Sequence, residues 1–179
     1  MDDTLQRRLK YLENNPTAAT GVLGTAQHLT KDELIAAMHQ YLAAGGDTIS
    51  LTATKTFENI CIHPQVEERV REEVTELGKE PKDYEDILRL PYIEACMVES
   101  LRLRPPGPVM PVRTLRDCEL CGEHIKAGTR IIGCLQKILI EDYENGEIFK
   151  PERWLTEDGK CIDRKKVREF VGFGYGPRQ

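Results

Sequence analysis

Leu90-Pro91-Tyr92-Ile93-Glu94-Ala95-Cys96-Met97-Val98-Glu99-Ser100-Leu101-Arg102-Leu103 is the stretch on which the architecture turns. Pro91 suits a first helical position, where a missing N–H is no loss, and Pro105-Pro106-Gly107-Pro108 ends the pattern. Ile93, Ala95, Cys96, Met97, Val98, Leu101 and Leu103 point in nearly every direction around a 3.6-residue wheel, and a helix apolar all round is a buried helix. Glu99 and Arg102, one turn apart on it, are therefore predicted inside a core. Charged groups there are tolerable only as a hydrogen-bonded pair with further partners. An exposed i, i+3 pair worth about 0.2–0.5 kcal/mol is the plainer alternative, and the wheel makes it the weaker one.

Two more helical patterns precede this one. Thr30 and Glu33 stand at the spacing of a capping box, and Leu34, Met38, Leu42, Gly45, Ile49, Ala53, Phe57 and Ile60 follow at three- or four-residue steps. That phase crosses Gly45-Gly46, where each glycine costs about 1 kcal/mol relative to alanine. One alternative is a helix ending at Gly45, with Asp47 or Thr48 capping a fresh one. The continuous phase favours a single kinked helix, with the Asp47 carboxylate and the Thr48 hydroxyl at the lip of a small-residue groove. A second helix opens at Pro64, carries Val66, Val70, Val74 and Leu77 on one face, and stops at Gly78. Beyond the Glu99 helix the period shortens, and residues 110–115, 118–125 and 129–135 are predicted as short strands joined through Gly122 and Gly128. Residues 1–29 are polar and read as a short helix, a turn at Asn14 to Pro16, and loop. The fold class is mainly α with a small β-sheet (α+β).

The 179 residues, 40% hydrophobic and 31% charged, suit one ordinary domain with a real core. With 25 basic against 30 acidic side chains the net charge is -5, which gives no whole-chain electrostatic case for nucleic acid. No run of about 18 apolar residues reads as a membrane span, and the polar start does not read as a signal peptide. The six cysteines follow no regular framework, which favours free thiols over a disulfide scaffold.

The chain closes on Phe173-Gly174-Tyr175-Gly176-Pro177-Arg178-Gln179, a run that neither packs as a helix nor alternates as a strand. It reads as a loop shaped around something. Phe173, Gly176 and Arg178 sit at the offsets of F-x-x-G-x-R-x-C, and the run resembles the haem-binding loop of the cytochrome P-450 family. Ala44-Gly45-Gly46-Asp47-Thr48 is similar to that family's A-G-x-D-T segment. Glu99-Ser100-Leu101-Arg102 resembles its E-x-x-R motif, opened by Leu90-Pro91-Tyr92, and Pro151-Glu152-Arg153 resembles its P-E-R segment. Each match is weak alone, but the four occur in the family's order over residues 30–179, with 1–29 weakly defined.

The resemblance implies a partial cytochrome P-450 fold, residues 1–179 forming a single partial domain that is about the C-terminal third of a member. The axial cysteine is expected directly after Gln179, so no metal ligand is expected within the chain. The implied enzyme is a haem-dependent monooxygenase (an oxidoreductase binding iron protoporphyrin) that inserts one oxygen atom of O2 into an organic substrate. The axial thiolate favours O–O cleavage. In this reading Asp47 and Thr48 relay protons. Arg113 and Arg178 hold haem propionates through the fork of the guanidinium, and the loop carrying Phe173 and Gly176 shields the sulfur. Glu99, Arg102 and Arg153 form a structural charge network behind the haem, and Val109 to Val112 lie near the substrate pocket. The implied partners are a small organic substrate, O2 and an electron-donor protein, reductase or ferredoxin, for which Arg164, Lys165, Lys166 and Arg168 are a candidate dock beside the plainer reading of a solvated surface. The complete protein is expected to be intracellular, with attachment to endoplasmic reticulum or mitochondrial membranes left open. For these 179 residues alone the expectation is no catalysis and at best weak haem binding.

One segment departs from the family. Lys137-Ile138-Leu139-Ile140 stand where His-Arg-Asp-Pro is usual, and Tyr143 and Gly146 take the later positions of Trp-x-x-Pro. Two readings from other classes remain. Cys118-x-x-Cys121, with His124 and Cys134 nearby, has the spacing of a small zinc or dithiol module, although a zinc ribbon needs a second close pair of ligands and the plainer alternative is two small residues in a strand hairpin turning at Gly122. A haem-free helical interaction protein is the other.

Overall fold

The computed structural model describes residues 29–174 together with Arg7, Lys10, Tyr11, Asn14 and Asn15. It divides into two compact units, Met1–Ile49 and Ser50–Gln179. Helix α1, Lys31–Ile62, runs through the division and is unbroken at Gly45-Gly46. Its start is the capping box expected from sequence: the Glu33 carboxylate accepts from the Thr30 amide at 2.8 Å and hydroxyl at 2.7 Å, and the Glu33 amide reaches back to Thr30 at 3.4 Å. In the first unit Leu34 is buried while Leu42 and Ile49 of the predicted stripe are exposed.

In the second unit the end of α1 buries Thr56 and Ile60 and exposes Phe57. Helix α2, Pro64–Leu77, starts on Pro64 and ends on Gly78, whose φ of 67° is the left-handed cap that glycine supplies without strain. Val66 and Leu77 are buried and Val70 packs on the core, but Val74 is exposed, so the apolar face is narrower than its sequence pattern. A short helix α3, Tyr84–Ile87, leads to α4, Pro91–Leu103, the helix read first above. It buries Tyr92, Ala95, Cys96, Val98, Glu99, Ser100 and Arg102. Met97 is 45% exposed, so the helix is covered on most of its circumference rather than all of it.

Four strands follow: β1 Met110–Arg113, β2 Cys118–Leu120, β3 Glu123–Ile125 and β4 Arg130–Gly133. They form two antiparallel pairs, β1 with β4 and β2 with β3. The segment 118–125 is thus a hairpin turning at Gly122. It reverses at Cys121 and Gly122, with φ of 53° and 82°, the two positive values of a type I′ turn. Helix α5, Leu135–Glu141, takes up the stretch that departs from the family, and 3-10 turns at Pro151–Trp154 and Val171–Phe173 flank a last short helix, α6, Arg164–Glu169. The core joins Ile60, Val66, Ala95, Val98, Leu135, Leu139, Phe149, Trp154, Leu155, Ile162 and Phe170.

Candidate functional site

Glu99 has no exposed surface, and neither has Arg102. The two meet as a bidentate pair, Arg102 Nε donating to one Glu99 oxygen at 2.8 Å and Nη2 to the other at 2.9 Å. Arg153, its side chain 14% exposed, donates from Nε to Glu99 at 3.3 Å. Two more donors complete the shell: the Lys150 amide at 3.0 Å and the Trp154 indole N–H at 2.8 Å. Three further guanidinium contacts go to backbone carbonyls. Arg102 donates to Leu139 at 2.8 Å and to Ile148 at 3.4 Å, and Arg153 donates to Asn145 at 2.8 Å. Arg102 also lies 5.1 Å from the centroid of the Tyr143 ring. Among the described residues no buried side-chain nitrogen or oxygen lacks a partner, the condition under which a buried ion pair is tolerated.

The departing segment meets this network through its main chain. Arg102 addresses the Leu139 carbonyl, which any residue supplies, while the Leu139 side chain is fully buried. The turn that follows is tight: a Cβ on Gly146 would lie 1.8 Å from the Ile140 carbonyl oxygen, so glycine is required there.

An aromatic train leads from the network to the closing loop. Trp154 meets Phe170 edge-to-face at 5.3 Å, and Phe170 meets Phe173 edge-to-face at 6.1 Å. Phe170 folds over Gly172, where a Cβ would fall 2.2 Å from the ring. The next glycine, Gly174, has φ 81° and lies under Met110, whose sulfur would be 3.6 Å from an added Cβ. Phe173 is held against Phe170 yet remains 77% exposed. Gly176 and Arg178 lie outside the described residues.

Asp47 and Thr48 are exposed on α1, and the Thr48 hydroxyl donates to the Ala44 carbonyl at 2.8 Å, the local bond that serine and threonine make within helices. A Cβ on Gly45 or Gly46 would meet nothing within 4 Å, so no packing among the described residues calls for glycine at either. Arg113 ends β1 directly opposite Arg130 of β4. Strand alternation puts both on the face with Pro111 and Ile132, away from Met110 and Val112; the face turned toward Gly174 carries Val112, not Arg113. Of the basic cluster, Arg164 is paired with Glu94 and Lys166 with Asp163 at 3.7 Å. A groove of about 860 Å³ between α2 and the start of α4 is lined by charged Glu72, Glu76, Arg89, Lys160 and Arg164 and by apolar Leu88, Pro91, Tyr92 and Ile162.

The profile of the cytochrome P-450 family matches residues 4–179. This chain belongs to the cytochrome P-450 family. Relatives of this cytochrome P-450 include the methyltetrahydroprotoberberine 14-monooxygenase of Papaver somniferum, 34% identical over 142 residues, 76% of this chain and 27% of that protein. The steroid 17-alpha-hydroxylase/17,20 lyase of Ictalurus punctatus is 31% identical over 181 residues, 98% of this chain and 34% of that protein. Among solved structures, a zebrafish cytochrome P-450 with abiraterone superposes with a TM-score of 0.70 at 30% identity, covering 84% of this chain and 36% of the other. The chain thus spans about a third of the length of the relatives it matches. The mainly helical fold with its small antiparallel strand pairs is a partial cytochrome P-450 fold.

The zinc reading finds no support: Cys118 lies on β2 and Cys121 in the turn, both exposed, and His124 faces Asp117 at 3.5 Å. Among the described residues no three His, Cys, Asp or Glu side chains gather as a metal site. Trp154 was the participant that motif matching passed over. Its signal was present, since the chain's single tryptophan directly follows Arg153, and a buried indole needs an acceptor.

Proposed function

We propose that this chain forms the haem-side core of a monooxygenase that inserts one atom of O2 into a small organic substrate. The observation that carries the reading is the fully buried Glu99 node, joined through Trp154 and Phe170 to Phe173, which touches Phe170 edge-to-face and is still exposed. A flat apolar cofactor is what such a ring is fit to cover. The residues present fit a haem; with thiolate ligation that group supplies the reduction of dioxygen and the transfer of one oxygen atom.

The chain's own residues then have distinct parts. Glu99, Arg102 and Arg153 fix the core on which the loop rests and touch no substrate. By the family's pattern, Arg178 binds a propionate and Gly176 belongs to the cofactor-binding loop. Arg113 shares the propionate load only by reaching round the ribbon from its outer face. Asp47 holds a proton at its carboxylate, and Thr48 passes one on by turning its hydroxyl away from the Ala44 carbonyl. Electrons come from a protein donor; Lys165 and Arg168, the members of the basic cluster not drawn into an ion pair with Glu94 or Asp163, are where an acidic partner docks.

The test is reconstitution. The chain with a cysteine added directly after Gln179 is loaded with haem, reduced and exposed to carbon monoxide. A thiolate-type difference spectrum is expected. A folded protein that takes up no haem, or gives a histidine-type spectrum, overturns the assignment.

A further inference from the structure

Helix α4 starts without a cap of its own. Leu90 at the N-cap offers no side-chain acceptor and Pro91 has no N–H, so the amides of Tyr92 and Ile93 decide how the helix start is satisfied. Both are taken by one carboxylate from another helix. Glu73 of α2 accepts from Tyr92 at 2.7 Å through one oxygen and from Ile93 at 2.9 Å through the other. One turn earlier on α2, Arg69 sits 4.0 Å from the centroid of the Tyr92 ring and donates to the Gly159 carbonyl at 2.9 Å. The Tyr92 hydroxyl in turn donates to Glu152 at 2.9 Å, in the same 3-10 turn as Arg153 and Trp154.

We propose that Glu73 is a positioning residue, which fixes the placement of α4 from α2 and thereby the register in which Glu99 meets Arg153 and Trp154. An acceptor on residue 90 satisfies the same two amides but ties the helix to nothing. A carboxylate on α2 does both, and Glu73 is the one side chain bonded to both amides. The inference rests on these contacts and stands whether or not the chain takes up haem.

Trp154, bonded to Glu99 and the only tryptophan, reports on the node through its emission and its quenching by acrylamide. In the full chain, well below the unfolding midpoint, Glu73→Ala is expected to speed exchange of the Tyr92 and Ile93 amides about tenfold, the loss of roughly one hydrogen bond each, Glu73→Gln, which keeps one acceptor oxygen, to do so for one of the two, and both to make Trp154 more quenchable. Glu72→Ala, an exposed neighbour, does neither. Adding Leu90→Asp to Glu73→Ala supplies a local cap; the expected result is restored amide protection with Trp154 still altered. If Trp154 returns to its original signal together with the amides, or never departs from it in a folded Glu73 variant, the proposal falls and Glu73 is a cap alone. Should Glu73→Ala not fold, Glu73→Gln alone and with Leu90→Asp decides by the same readouts.

Discussion

Removing the Glu99 carboxylate strips its acceptor from Arg102, Arg153, Trp154 and the Lys150 amide at once. Glu99→Ala therefore leaves a guanidinium buried without its counter-charge, and the expected loss is about 3–5 kcal/mol, read from the urea midpoint. Arg153→Lys keeps a charge at a partly exposed position and costs less, about 1–2 kcal/mol. Cysteine chemistry is also set residue by residue. Burial, with Glu152 and Glu73 nearby, pushes the Cys96 thiol up to about 12, whereas Cys61, Cys118, Cys121, Cys134 and Cys161 are exposed. A thiol reagent acting on native protein near neutral pH is expected to modify those five and to reach Cys96 only on unfolding.

Helix starts and stops were legible because they are written in few residues: Thr30 with Glu33, Pro64, Gly78, Pro91. Breadth of burial was not. Periodicity says which face of α2 or α4 is apolar, but Val74 and Met97 show that it does not say how far the neighbouring elements reach around. The β2–β3 hairpin was legible from Gly122, although Cys121 takes the first positive-φ position of the turn, where asparagine or glycine is the usual sign. The glycines separate by the same logic of contact. Gly45→Ala and Gly46→Ala meet nothing, and each is expected to stabilise the chain by roughly 0.5–1 kcal/mol. Gly146→Ala and Gly172→Ala run into backbone or ring and cost about 1–3 kcal/mol; thermal melting of the four variants checks both signs. The connection from α2 to α4 also titrates in two senses. Burial, opposed by its two amide donors, holds Glu73 above the ordinary carboxylate range, so its contribution is full below that range and fades as pH rises through the raised value. Lys79, bonded at 2.5 Å, holds Asp86 below its range; that contribution is full above the ordinary value and is lost as pH falls through the lowered one. In urea midpoints against pH, Glu73→Gln removes the decline on the rising side, and Asp86→Asn shrinks the loss in acid.

Over the whole molecule, the four matched segments in their order were enough to read the family, and two of them, through Glu99, Arg102 and Arg153, meet in one buried charge network. The site was legible only in part. Glu99, Arg102 and Arg153 come together, but the face on which Arg113 lies depends on strand register, which its position in the sequence does not give. The dispersed cysteines foretell a metal-free surface, and elemental analysis of purified protein is expected to find zinc far below one atom per chain; a stoichiometric content lost on Cys121→Ser contradicts that. The Leu139 carbonyl carries a broader consequence. A demand addressed to the peptide unit constrains where the chain passes and leaves the identity of the residue free. Lys137 to Ile140 can therefore abandon the lettering usual at that place while keeping its geometry, and a search keyed to that lettering overlooks chains that still satisfy the arginine.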